Sequence, residues 1–162
     1  MSDAMIEMLV TCLIWVAAYL VVLYITKRAG VGYNVLRNSL KWMETLKKKC
    51  ASLKGQLCSK GFSIQSKGAI RSLREVVRCE KGIARILTVY LFDNKGDKDV
   101  SQAMELLADV PEYCRKAVAM AVDGKSADID SMFCKAYDSI DLAVSLVKKA
   151  IDRDLKEELL KV

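Results

Sequence analysis

A chain of 162 residues carries 26 Lys/Arg against 20 Asp/Glu, six cysteines, one proline and no histidine. The length favours one domain with a single core, and the missing histidine removes the usual general base and the commonest transition-metal ligand, which excludes zinc hydrolases and histidine-dependent triads. Abundant Leu, Ala, Val, Lys, Met and Glu with only eight glycines predicts an all-α fold.

The charge is unevenly placed. Residues 27–85 hold 15 Lys/Arg against Glu44, Glu75 and Glu80, a net +12, whereas 93–162 hold 11 against 15, a net −4. A basic half next to an apolar segment points to anionic lipid headgroups or an acidic partner. Nucleic acid is disfavoured, because only Tyr33, Trp42 and Phe62 accompany the cations and no recognisable module is present.

In chain order, Met8 to Thr26 are nineteen residues without a charge, bracketed by Glu7 and Lys27. As a helix they would be about 28 Å long, close to a bilayer's hydrocarbon thickness. Asp3 and Glu7 replace the basic start of a signal peptide, so the expectation is a retained transmembrane anchor over 1–28. A buried core helix is the bland alternative. Lys27, Arg28, Arg37, Lys41 and Lys47 to Lys49 follow the segment and no Lys or Arg precedes it, which predicts a single-pass cell-membrane protein, N-terminus outside and C-terminal domain cytosolic. Tyr24 would rest in the headgroup layer.

Residues 29–68 read as a basic stalk and linker. Past an Ala29 to Gly32 joint, Leu36, Leu40, Met43, Leu46, Cys50, Leu53 and Leu57 recur every three or four positions, as in an amphipathic helix. Its other face offers Lys41, Lys47, Lys48, Lys49 and Lys54 either to an anionic membrane surface or to water. The Gly- and Ser-rich run 59–68 reads as a linker.

Residues 69–162 are expected to form a helical bundle of coiled-coil character. A helix over 69–91 places Ile70, Leu73, Val77, Ile83, Ile86, Leu87 and Tyr90 on one stripe, and the polar run 93–99 ends it. Asp99 with Gln102 would cap the next element, which Pro111 is expected to divide into two short helices within 100–122, closed by Gly124. The last helix opens near Ser126 or Asp128 and keeps register at Ile129, Phe133, Ala136, Ile140, Ala143, Val144, Val147, Ile151, Leu155 and Leu159. Its end, with Leu155, Leu159, Leu160 and Val162 beside Asp152, Asp154, Glu157 and Glu158, outreaches the preceding helices. That strip is the expected surface for a protein partner or a homo-oligomer, or else it docks on the basic 34–57 stretch.

Chemistry is sparse. Cys12, Cys50, Cys58, Cys79, Cys114 and Cys134 form no CxxC pair, and buried or reduced thiols are the plain reading. Gly124-Lys125-Ser126 lacks the earlier glycine and the strand of a phosphate-binding loop. Asp128 and Asp130 open a helix instead of following a central strand, where carboxylates simply suit the helix dipole. The 93–99 loop lacks the glycine of a Ca²⁺ loop at either register. No catalytic, cofactor-binding or metal-ligating residue is assigned.

The order of the helix IRSLREVVRCEKGIARIL, a polar break, MELLADVPEYCRKAV and the closing SLVKKAIDRDLKEELLKV over 69–162 resembles the bacterial bromo-chloro-indolyl phosphate hydrolysis protein family (XpaC-like). The resemblance implies an N-terminally membrane-anchored helical bundle and, through the family's name, phosphate-ester hydrolysis. It transfers no active-site residue. The family tends to a Leu-Pro-Thr-like step where this chain has Val110-Pro111-Glu112, and often carries two membrane segments. The expected function is a membrane-anchored helical adaptor or scaffold that binds a protein or self-associates at the inner membrane surface. The alternatives are a phosphoesterase-related enzyme and a structural subunit of a membrane complex.

Overall fold

The computed structural model describes the backbone of residues 3–59, 67–124 and 126–160, and the side chains of 14–17, 33–59, 68–124, 128–157 and 159–160. Four helices account for nearly all of it: α1 (Asp3–Leu57), α2 (Lys67–Asp93), α3 (Lys98–Val122) and α4 (Ser126–Leu159). The chain divides into two units, Met1–Asn34 and Val35–Val162.

Within the second unit, cross-helix contacts fix the direction of each element. Lys49 meets Glu75 and Gln56 accepts from Ser72, so α2 runs antiparallel to α1. Asp99 meets Lys149 and Arg153, so α4 opposes α3. Lys47 meets Asp141 and Lys54 meets Asp130, which closes the ring between α4 and α1. The result is an up-down-up-down four-helix bundle.

Its core follows seven-residue spacing. On α1, Leu36, Ser39, Met43, Leu46, Cys50, Leu53 and Leu57 alternate steps of three and four and are all buried, the seam expected of knobs-into-holes packing. On α3, Val100, Ala103, Leu107, Val110, Cys114 and Ala117 repeat the pattern, and on α4 it runs from Ile129 through Phe133, Ala136, Ile140, Ala143 and Val147 to Ala150. Ser39 is the polar exception, and its hydroxyl donates to Leu36 O at 2.7 Å. No buried side-chain nitrogen or oxygen among the described residues lacks a partner.

Several expectations are corrected. Among the described residues no helix is long and apolar enough to cross a membrane, which overturns the transmembrane anchor over 1–28. The expected joint at Ala29 to Gly32 lies inside the 55-residue α1. Most side chains of 8–26 lie outside the described residues, as do residues 60–66 of the expected linker. The stretch 35–57 supplies one of the bundle's four core seams rather than a separate stalk.

Pro111 does not divide α3, which runs unbroken from Lys98 to Val122. The ring lacks an N–H and crowds the preceding turn, yet Pro111 is buried together with Val110 and Cys114, and that burial holds the helix on line. The cap of α3 is Asp97 instead of Asp99: its Oδ1 accepts from Val100 N at 3.1 Å. Gly96 and Gly124, at φ +101° and +72°, make the turns before and after α3, where a side chain would strain the backbone.

Candidate interaction surface

The α2 seam is the one whose register differs from the sequence reading. The buried residues are Ala69, Val76, Cys79, Ile83, Leu87 and Tyr90, whereas Ile70 is 48% exposed and Leu73 and Val77 are partly exposed. Ile83, Leu87 and Tyr90 are buried as expected, while towards its N-terminal half the helix buries Ala69, Val76 and Cys79 and leaves Ile70, Leu73 and Val77 more exposed. Next to them runs a row of cations, Arg71, Arg74, Arg78, Lys81 and Arg85, at alternating steps of three and four and all exposed.

Trp42 of α1 lies against this row. Its ring sits on Gly82 so closely that a Cβ there would come 3.3 Å from Trp42 Cζ3, and Cys79 Sγ donates to Trp42 O at 3.5 Å. Glycine inside a helix costs about 1 kcal/mol against alanine, and here it lets the indole approach α2. Trp42, Thr45, Arg74, Arg78, Lys81 and Arg85 border an open groove of about 640 Å³ between the two helices.

The α2 row is largely unpaired, as are Arg37, Lys41, Lys48, Lys135, Lys148 and Lys156 among the described residues, and what distinguishes it is the indole of Trp42 beside it. Lys47, Lys49 and Lys54 bind Asp141, Glu75 and Asp130 at 2.6, 2.7 and 2.8 Å. Arg153 and Lys149 bind Asp97 and Asp99 at the α3–α4 end. Arg71 reaches Glu75 at 3.6 Å, but Arg74, Arg78, Lys81 and Arg85 form no ion pair among the described residues. Glu75, bonded to Lys49 and near Arg71 and Arg78, is held below the usual carboxylate range by the Lys49 hydrogen bond first. Burial pushes Glu80 up, against the pull of Lys81.

The neighbouring helix carries the opposite charge. Glu105, Asp109 and Glu112 of α3 stand at steps of four and three, all exposed. Glu112 pairs within its own helix with Arg115 and Lys116, while Glu105 and Asp109 form no ion pair among the described residues.

The expected site residues fall as follows. Lys41 and Lys48 are exposed, while Lys47, Lys49 and Lys54 serve as ties to α4 and α2. Leu155, Leu159 and Leu160 are exposed by 38%, 76% and 87%, and Val162 lies outside the described residues. Before them, Asp154 accepts from Tyr90 Oη at 2.9 Å, and burial raises the pKa of both groups. The α2 and α3 rows do not stand out in the sequence, because charged residues on a helix's outer face are ordinarily solvated. Their signal was the shared three-four spacing.

Cys50, Cys79 and Cys114 are buried and Cys58 and Cys134 exposed, all as free thiols. Among the described residues no group of three or more His, Cys, Asp or Glu could hold a metal ion. No family model, curated protein or solved structure matches this chain.

Proposed function

We propose that the chain is a helical adaptor or scaffold that engages a protein through the outer side of α2. The observation that carries this reading is the set of four exposed cations, Arg74, Arg78, Lys81 and Arg85, which form no ion pair among the described residues and border the groove beside Trp42. The ties between helices among the described residues use Lys47, Lys49, Lys54, Lys149 and Arg153 and none of these four, so the described ion pairs of the fold do not account for the row. Aromatic and arginine side chains on an otherwise solvated face are the usual anchors of protein recognition.

The test is photo-crosslinking in the native cell, with a photoreactive side chain replacing Val77 in the full chain. A discrete adduct is expected, lost when Arg78, Lys81 and Arg85 are all changed to Glu. An adduct unchanged by those substitutions, or none at all, would remove the reading.

A further inference from the structure

The geometry points to the occupant of this surface: a second copy of the same chain, docked through the α2–α3 face about a two-fold axis parallel to the helices. The inference rests on the protein-binding reading above and names the partner. Two rows of opposite charge run side by side on adjacent antiparallel helices, Arg78, Lys81 and Arg85 on α2 and Glu112, Asp109 and Glu105 on α3. Their heights agree. Counting back from the end of α2 at Asp93, the cations stand 15, 12 and 8 residues away; counting on from the start of α3 at Lys98, the acids stand 14, 11 and 7 residues away. Equal rise per residue therefore puts each acid nearly level with its cation.

A two-fold axis along the bundle preserves height and exchanges left for right. It lays the α2 of one copy against the α3 of the other, antiparallel, so that Arg78, Lys81 and Arg85 meet the partner subunit's Glu112, Asp109 and Glu105, and the reverse. The same rotation makes the surface self-complementary, as an isologous dimer requires. Level with the rows, Val77 and Ala84 of α2 and Met104 and Ala108 of α3 are exposed or partly exposed, with Glu80 among them, and Ile70 and Leu73 continue the apolar strip beyond Arg78. A largely apolar centre with a charged rim is the anatomy of a stable interface. The α2 register explains why these residues are outside: Ala69, Val76 and Cys79 occupy the bundle's own core instead.

Sedimentation equilibrium of the full chain tests this. At low salt the wild type should be a dimer, and salt should weaken it. Changing Arg78, Lys81 and Arg85 to Glu, or Glu105, Asp109 and Glu112 to Lys, should each weaken self-association by on the order of 100-fold, because the pairs become like charges. An equimolar mixture of the two variants should regain a one-to-one heterodimer, because both sets of contacts then join opposite charges. If a reversed chain loses helicity by circular dichroism, the set Arg78→Gln, Lys81→Gln and Arg85→Gln replaces it, with dissociation still expected. A monomeric wild type, reversals that leave the mass unchanged, or a mixture that stays monomeric would each overturn the dimer. A monomer that still gives the Arg-dependent crosslink in cells would sink the second copy as partner while leaving the protein-binding reading intact.

Discussion

The thiols of Cys50 on α1 and Cys114 on α3 meet at 3.8 Å in the middle of the bundle, joining helices that are diagonal to each other. Both are fully buried. The contact with Cys114, followed by burial, pushes the Cys50 thiol far above its ordinary pKa, so it stays protonated. The thiolate is the reactive form of cysteine, and a protonated thiol in an apolar core is inert.

Alkylation should therefore divide the cysteines. Brief iodoacetamide treatment of the native chain, read by peptide mass mapping, should label the exposed Cys58 and Cys134 and spare Cys50, Cys79 and Cys114 until denaturant is added. Labelling of Cys50 or Cys114 at the rate of Cys58 would mean that the core opens readily.

The Trp42–Gly82 approach gives a second outcome. At Gly82→Ala two effects oppose: helix propensity gains about 1 kcal/mol, and the new Cβ presses on a ring that is 41% exposed and has room to yield by a few tenths of an ångström. Stability should change by under about 1 kcal/mol. Gly82→Leu leaves no such room and should lift the indole into water. In a Trp15→Phe background, its fluorescence should shift to longer wavelength, whereas Gly82→Ala should not shift it.

The all-α class, the last helix and the α1 seam were legible because large apolar residues there repeat at helical spacing, from Leu36 to Leu57 and from Ile129 to Ile151. The α2 seam was not. Periodicity favours Ile70, Leu73 and Val77 by size, but the tertiary fold buries Ala69 and Cys79, small enough for close helix packing. Pro111 misled in the opposite direction, since local propensity argues for a break and burial overrides it. The cap also moved, because Asp99 is held by Lys149 and Arg153, a contact fifty residues distant that spacing cannot reveal. The candidate surface was hidden for the same reason: which cations lack partners depends on where Asp130, Asp141 and Glu75 lie in space.

Acid titration should follow from the paired carboxylates. Asp99 is held below its ordinary value by the Lys149 hydrogen bond first, with Arg153 adding to it, and Glu75 by Lys49. A depressed carboxylate contributes stability that is present above its unfolded pKa, about 4, and is lost as pH falls through the lower folded value. Asp154 acts in the opposite sense, because burial raises it and its protonation favours the folded state as pH falls through that raised value. The melting temperature should thus hold or rise slightly on acidification towards pH 4 and drop below it. Asp99→Asn should flatten the drop, and Asp154→Asn should remove the earlier gain. A melting curve of the Asp99→Asn chain as steep below pH 4 as that of the wild type would show that the cluster carries no such linkage.

Truncation separates the structural part of α4 from its exposed end. Ile151 is 9% exposed, Arg153 binds both Asp97 and Asp99, and Asp154 receives the Tyr90 hydroxyl, whereas Leu155 is 38% and Leu159 76% exposed. A chain ending at Asp154 keeps these ties and should melt within about 2 °C of the full chain, since removing exposed residues seldom shifts stability by more than about 0.5 kcal/mol. A chain ending at Ile151 leaves Tyr90, Asp97 and Asp99 without those partners. Arg153 is 41% exposed, so solvent screens its contribution, but the combined loss should still be about 2 kcal/mol. The melting temperature should fall by about 6 °C. Equal melting of the two truncated chains would show that the α2–α3–α4 end is not held by Arg153 and Asp154. A loss already present in the chain ending at Asp154 would place Leu155 and Leu159 among the residues that stabilise the fold.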